Sequence, residues 1–175
     1  RELQHKYGVK DRQVWQDAAF EKHEVFKECA EYGWLACFGA NQNSWRHDIP
    51  TSDPTKPPLK LHFPYSPSQR TVQGGKVVHY LHFSEDYCAD ILANMAAGRG
   101  VKYEHPDDVL PDYLEQMKGE HKILKGGRLT WEKIHSTKPN HAFDTGKMGI
   151  CFALLMKLLA MPKKPEEEKA GAAHA

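Results

Sequence analysis

The sequence contains few cysteines, and they are not arranged as a metal site or a disulfide framework. The four residues, Cys29, Cys37, Cys88 and Cys151, are widely spaced and include no C-x-x-C pair. Two of them lie within apolar patterns, so we expect reduced thiols in the core of a protein from a reducing compartment. A zinc site built on these cysteines is therefore not expected.

A long uninterrupted apolar segment is also missing. The longest one, residues 149–161, is broken by Lys157 and is shorter than the roughly 20 residues that a membrane-spanning helix needs. No signal peptide is visible at the start of the sequence. We therefore predict a soluble, cytoplasmic protein that has no membrane partner.

The sequence lacks a strong excess of charge of one sign. Its 175 residues include 24 Lys and Arg against 23 Asp and Glu, for a formal net charge of +1. This balance neither favours nor excludes a nucleic acid partner, because local patches can still bind phosphate. A phosphate-binding loop is absent too, since neither Gly74-Gly75-Lys76 nor Gly146-Lys147 has the upstream glycine and the following Ser or Thr.

Hydrophobic periodicity predicts an α/β domain. A short strand at 14–16 ends at Asp17, a helix is predicted over 21–32 with Gly33 at its C-terminal end, and an apolar strand follows at 34–38. This strand, helix, strand order predicts a parallel and right-handed βαβ unit.

The rest of the chain is predicted to contain further strands and helices around one long loop. We expect a strand at 76–83, helices at 85–97 and 111–120, a hairpin or edge strand near 126–131, and a C-terminal helix that ends before Pro162. Residues 40–75 contain six prolines and are predicted to be a long loop or insertion. We therefore assign residues 1–161 to one domain and 162–175 to a disordered tail.

Two carboxylates and one histidine are the candidate functional residues. Asp17 ends a predicted buried strand, and Asp144 follows His141 by three residues at the start of the most apolar helix. If the fold brings the carboxylates together at the carboxyl ends of strands, their repulsion favours a hard cation such as Mg²⁺ or Mn²⁺ between them. His141 would then act as a ligand or as a proton donor. Each residue also has a structural alternative, namely a turn cap, a helix-dipole partner and a backbone hydrogen bond respectively.

The order of several motifs resembles a known nuclease family. The motifs are Tyr7-Gly8-Val9, the run from Val14 to Phe20, His23-Glu24-Val25-Phe26, Cys29, the run from Tyr32 to Ala36, Gly39, and Asn140-His141-x-x-Asp144. As an ordered set, they resemble the nuclease domain of the large terminase subunit of tailed bacteriophages and prophages. The resemblance covers about residues 3–160.

This resemblance implies an RNase H-like fold, a mixed sheet flanked by helices, and a two-metal endonuclease that cuts concatemeric double-stranded DNA during head packaging. Asp17 would match the second acid of the site and Asp144 the last, with His141 beside it. Asp17 and Asp144 would hold the Mg²⁺ or Mn²⁺ ions. The implied partners are double-stranded DNA, the phage portal and the small terminase subunit, in the cytoplasm of a bacterial host that carries the phage or prophage.

One acid of the family's site is not found in the sequence. In the family the first acid lies on an N-terminal β-hairpin, and nothing between Arg1 and Val14 can supply it, because Asp11 lies in a predicted turn. We therefore expect a domain that lacks this hairpin, with reduced metal affinity and activity if these residues act alone. Glu85 and Asp86 begin a predicted helix, where they either contribute a ligand or complement the helix dipole.

Two other hypotheses are consistent with the same residues. The chain could be a catalytically incomplete module of the same fold that docks DNA or packaging partners, with Trp45, Arg46 and Arg70 on phosphates. It could also be an unrelated α/β phosphoesterase that depends on His141. Replacing His141 with Ala would then abolish turnover, whereas Asp144→Asn is the more damaging change in the terminase hypothesis.

Overall fold

The computed structural model describes residues 1–105 and 107–160, which form a mixed α/β arrangement. The helices are α1 (Glu2–Lys6), α2 (Lys22–Tyr32), α3 (Glu85–Ala96), α4 (Pro111–Met117) and α5 (His141–Leu155). The strands are β1 (Trp15–Asp17), β2 (Leu35–Ala40), β3 (Trp45–Ile49), β4 (Leu59–Phe63), β5 (Gln69–Gln73), β6 (Lys76–Ser84), β7 (Glu120–Lys125) and β8 (Arg128–Lys133). The predicted tail at 162–175 lies outside the described residues.

The central sheet has the strand order β1-β2-β6-β5. Strands β1, β2 and β6 are parallel, and β5 is antiparallel to β6. The βαβ unit predicted at the start of the chain is confirmed, because α2 connects β1 to its parallel neighbour β2. The register places Asp17 beside Cys37 and Gly39 beside Phe83, so the last residues of the parallel strands reach one edge of the sheet.

The proline-rich stretch 40–75 contains more regular structure than we expected. Strands β3 and β4 pair as an antiparallel hairpin with Trp45 opposite Phe63, and β5 joins the central sheet. All six prolines lie in connections between these strands, where no ladder N–H is needed. The hairpin is held by ring contacts of His47 with Phe63 and with Tyr65, at centroid separations of 4.7 and 5.5 Å.

The hairpin predicted near 126–131 is confirmed as β7 and β8. Its turn is Gly126-Gly127, whose φ values of +58° and +81° suit glycine. The preceding helix α4 ends at Met117, earlier than predicted, because Glu120 already belongs to β7. Helix α3 begins as predicted, with Ser84 Oγ accepting the N–H of Tyr87 at 3.3 Å.

Apolar side chains cover both faces of the sheet. On one face, helix α2 packs on the sheet through the buried residues Ala18, Phe26, Cys29, Ala36 and Val78. On the other face, helices α3 and α5 enclose the larger core, made mainly of Cys37, Leu81, Phe83, Cys88, Leu92, Phe143, Ile150, Cys151 and Leu154. All four cysteines are buried and free, as predicted. In the described part of the chain, no helix is long and apolar enough to cross a membrane.

Candidate functional site

Four carboxylates converge on one cavity at the edge of the sheet where the parallel strands end. The cavity has a volume of about 230 Å³. Its charged lining residues are Asp17, Glu85, Glu120, Lys133, Asp144 and Lys147. Larger cavities lie elsewhere, including one of about 490 Å³ with a mainly apolar and aromatic lining, but none of those described combines so many acidic side chains.

The sheet brings two of these acids to the cavity directly. Asp17 is the last residue of β1, and Glu85 is the first residue of α3, immediately after β6. Because β1, β2 and β6 run in parallel, their carboxyl ends meet at the same edge. Asp17 also makes the turn contact that its alternative interpretation predicted, since its Oδ1 accepts the N–H of Ala19 at 2.9 Å.

The glycine at position 39 makes room for Glu85. A Cβ added to Gly39 would overlap the Glu85 side chain, including its carboxylate oxygen Oε1. The carboxylate of Glu85 therefore lies directly over the backbone of β2. Burial raises the pKa of Glu85; the charge of Lys147 lowers it, while those of Asp144, Glu120 and Asp17 raise it, and the net pKa is above its ordinary value.

Helix α5 and strand β7 supply the other two acids and a lysine between them. Asp144 lies in the first turn of α5, Lys147 three residues later, and Glu120 begins β7. The Nζ of Lys147 lies 2.8 Å from Asp144 Oδ1 and 3.3 Å from Glu120 Oε1. The side chains of Lys147 and Glu120 are only 5% and 7% exposed, whereas that of Asp144 is 36% exposed. Asp144 is therefore the member of this group that opens toward solvent.

Asn140 forms hydrogen bonds to both Glu120 and Asp144. It is fully buried, and its Nδ2 donates to Glu120 Oε1 at 2.6 Å and to Asp144 Oδ1 at 3.2 Å. Its own Oδ1 is buried without a hydrogen-bond partner among the described residues. The amide of Asn140 and the ammonium of Lys147 therefore bind the same two carboxylate oxygens.

Lys147 stays charged despite its burial. Burial lowers its pKa, but the hydrogen bond to Asp144 and the negative charges of Glu120, Asp144 and Glu85 outweigh that effect and raise the pKa. The ammonium also lies over the ring of Phe143, 5.4 Å from its centroid. The carboxylates of Asp144 and Glu120 therefore share a buried ammonium group.

The predicted residues Asp17 and Asp144 meet at this cavity, but His141 does not line it. His141 is the first residue of α5 and is exposed to solvent. Asp86, the neighbour of Glu85, has a structural role instead: its Oδ1 accepts the N–H of Trp131 at 3.3 Å, and its Oδ2 lies 3.2 Å from Arg128. These contacts fix the β7–β8 hairpin against α3.

Sequence reasoning missed Glu120 and Lys147. Glu120 lies in a polar stretch with no motif around it, so no local pattern distinguishes it from other surface acids. Lys147 offered a signal, because it occurs three residues before Ile150 and four after Phe143, on the apolar face of α5. A charged residue at a buried helical position is uncommon and indicates a buried partner of opposite charge.

The carboxylate oxygens that line the cavity are donor atoms of the type that binds hard divalent cations. Carboxylate oxygens are the ligands that Mg²⁺ and Mn²⁺ prefer. The cavity lining contains four carboxylates and two ammonium groups, which formally leaves an excess of two negative charges. Among the described residues, no group of three His, Cys, Asp or Glu side chains is arranged to hold a metal ion. Asp17 and Asp144 are the two lining carboxylates that the sequence predicted as metal ligands.

The residues predicted to contact DNA phosphates lie outside this cavity. Trp45 and Arg46 belong to the β3–β4 hairpin, where Arg46 forms an exposed ion pair with Asp48 at 3.4 Å. Arg70 is an exposed residue of β5, opposite His79 of β6. The structure spreads these side chains over a hairpin and a sheet edge.

Comparison of the chain with protein-family models, with curated proteins and with solved structures finds no match. The assignment of function therefore depends on the motifs of the sequence and on the geometry of the acidic cavity.

Proposed function

We propose that the protein is a metal-dependent endonuclease domain of a phage or prophage DNA-packaging terminase, which cuts concatemeric double-stranded DNA by phosphodiester hydrolysis. The observation that supports this proposal is the meeting of Asp17 and Asp144, which are far apart in the sequence, at one cavity. The resemblance to terminase nucleases implied these two acids as a pair. They reach the cavity from a strand end and a helix start, on different elements of the fold.

In this proposal the mixed sheet is an RNase H-like sheet. Strand β1 lies at the edge of the central sheet, and no described strand pairs with its outer side. The first strand of the family's N-terminal hairpin would pair there, next to Asp17, and would bring the family's first acid to the cavity. The open edge of β1 is thus a suitable place for a strand that carries a further acid of the site.

The residues of the cavity would have different roles in hydrolysis. Asp17 and Asp144 would hold Mg²⁺ or Mn²⁺, which supplies an activated water and stabilises charge on the phosphate when it is bound. Asn140 and Lys147 hold the Asp144 carboxylate in place through its Oδ1. Glu85 lines the same cavity, and burial together with the neighbouring acids raises its pKa above its ordinary value.

A plasmid-nicking assay tests this function in the full gene product that contains these residues. We expect Mn²⁺-dependent nicking of supercoiled DNA, and a loss of at least about 100-fold in Asp144→Asn, because removing one ligand charge weakens transition-state stabilisation. Asp112→Asn is the matched control, since Asp112 is also a first-turn acid of a helix but lies outside the cavity. His141→Ala is expected to keep most of the activity, because His141 does not line the cavity.

Three results would contradict the proposed function. Equal nicking by Asp144→Asn and the unmodified protein would show that the acidic cavity is not the catalytic site. No nicking in Mn²⁺, together with DNA binding that weakens steeply with salt, would favour the non-catalytic docking module. Loss of activity in His141→Ala alone would favour the unrelated phosphoesterase.

A further inference from the structure

Lys147 lies between two carboxylates in the position that a bridging cation would take. Its Nζ contacts Asp144 Oδ1 at 2.8 Å and Glu120 Oε1 at 3.3 Å. The whole residue is 4% exposed. Asn140 donates to the same two oxygens, so both carboxylates are tied through one oxygen each.

Burial at this position is energetically unfavourable for a lysine side chain. Lys147 lies on the helix face that also buries Phe143 and Ile150, where an apolar side chain would fill the space without loss of hydration. Burying an ammonium group is strongly unfavourable unless carboxylates and hydrogen bonds compensate for the lost water. The residue is therefore better explained by its charge than by its volume.

The charges of the cavity favour one divalent ion rather than two. With Lys147 and Lys133 present, the four lining carboxylates leave a formal excess of two negative charges. One divalent cation balances that excess, whereas two would make the site positive before DNA arrives. In two-metal sites, the two ions flank the reacting phosphate about 3.5–4 Å apart.

We propose that the ammonium of Lys147 takes the place of one of the two divalent cations, so that the site binds a single Mg²⁺ or Mn²⁺ ion. This inference rests on the proposed function and differs from the two-metal chemistry that the resemblance implies. Asp144 is the shared ligand: its Oδ1 binds the ammonium, and no hydrogen bond to its Oδ2 is found within the described residues. The Oδ2 atom would thus face an ion that Asp17 also holds.

Counting bound Mn²⁺ tests the inference without any measurement of activity. Free Mn²⁺ is followed by its electron paramagnetic resonance signal, with isothermal titration calorimetry as a second method. The unmodified protein is expected to bind one ion per chain. Lys147→Met, which keeps the length of the side chain and removes its charge, is expected to bind two ions, or one ion at least about tenfold more tightly.

Lys133→Met is the matched control. Lys133 lines the same cavity, but it is exposed and bridges no pair of carboxylates among the described residues. Its replacement is expected to leave the count at one ion and the affinity within about threefold, because an exposed charge is screened by solvent. Two ions in the unmodified protein, or no change of count and affinity in Lys147→Met, would overturn the inference.

The outcomes separate this inference from the proposed function. If the unmodified protein binds no Mn²⁺ but Lys147→Met does, the ammonium stands in for a cation although the metal-dependent nuclease assignment fails. If neither protein binds Mn²⁺, both ideas are wrong. If Lys147→Met does not fold, Lys147→Gln replaces it, and the same rise in ion count or affinity is expected. A count of two ions in the unmodified protein contradicts the inference without any variant.

Discussion

The placement of helix α5, which carries Asp144 and Lys147, depends on a close contact that a pair of glycine substitutions can measure. Gly146 faces α3, and a Cβ added there would lie 2.7 Å from Cδ2 of Leu92, which is buried. Gly149, three residues further along the same helix, has nothing within 4 Å of the corresponding position. The two glycines therefore differ in their surroundings and share their secondary structure.

The expected magnitudes follow from this difference. Replacing a glycine with alanine inside a helix stabilises it by about 1 kcal/mol, and we expect Gly149→Ala to gain most of that. In Gly146→Ala the same gain is opposed by overpacking against Leu92, which costs about 1–3 kcal/mol. Gly146→Ala should thus be less stable than Gly149→Ala by about 1–3 kcal/mol.

Urea denaturation of both variants and the unmodified protein measures this difference. A double-mutant cycle with Leu92→Ala adds a direct test, because the smaller side chain removes the clash, and a coupling of at least about 1 kcal/mol is expected. If Gly146→Ala is as stable as Gly149→Ala and uncoupled from position 92, helix α5 does not pack on α3 as described. The positions of Asp144 and Lys147 at the cavity would then be wrong as well.

Two further predictions concern the carboxylates of the cavity. Glu120→Gln should destabilise the fold by about 2 kcal/mol, because it removes a buried charged hydrogen-bond acceptor of Lys147. The control Glu132→Gln, at an exposed ion pair, should change stability by less than about 1 kcal/mol. Equal effects of the two substitutions in chemical denaturation would contradict the buried network. Glu85 has a folded-state pKa above its ordinary value of 4.5, so folding favours its protonated form and stability falls as pH rises from 4.5 through the raised pKa. Glu85→Gln removes this loss of stability, so its melting temperature minus that of the unmodified protein should increase from pH 4 to pH 8. A constant difference across that range would show that Glu85 is not buried among acids.

The regular elements near the site were predictable because their signals are local. The βαβ unit at the start of the chain follows from helical spacing and from Gly33, which has a φ of +72° at the end of α2. The β7–β8 hairpin follows from the Gly126-Gly127 turn. The strands within 40–75 were missed because the six prolines there indicated a loop, while cross-strand contacts determine the pairing.

The candidate site was predictable only in part, for a related reason. Asp17 ends a predicted strand and Asp144 lies in the first turn of the most apolar helix, so the sequence singles them out. Glu120 gains its role from tertiary contacts with Asn140 and Lys147, which no local spacing reveals. His141 shares a motif with Asp144, but its position on the helix turns it to solvent rather than to the cavity.

The most direct test of the central claim is an anomalous difference map from crystals of the protein soaked in Mn²⁺. The claim is that Asp17 and Asp144 together form a cation site at the carboxyl edge of the sheet. We predict one anomalous peak in the cavity, bound by a carboxylate oxygen of each residue, with the ammonium of Lys147 still on Asp144. A cavity without a peak at a Mn²⁺ concentration that occupies other sites, or an ion bound without Asp17 and Asp144, would contradict the claim.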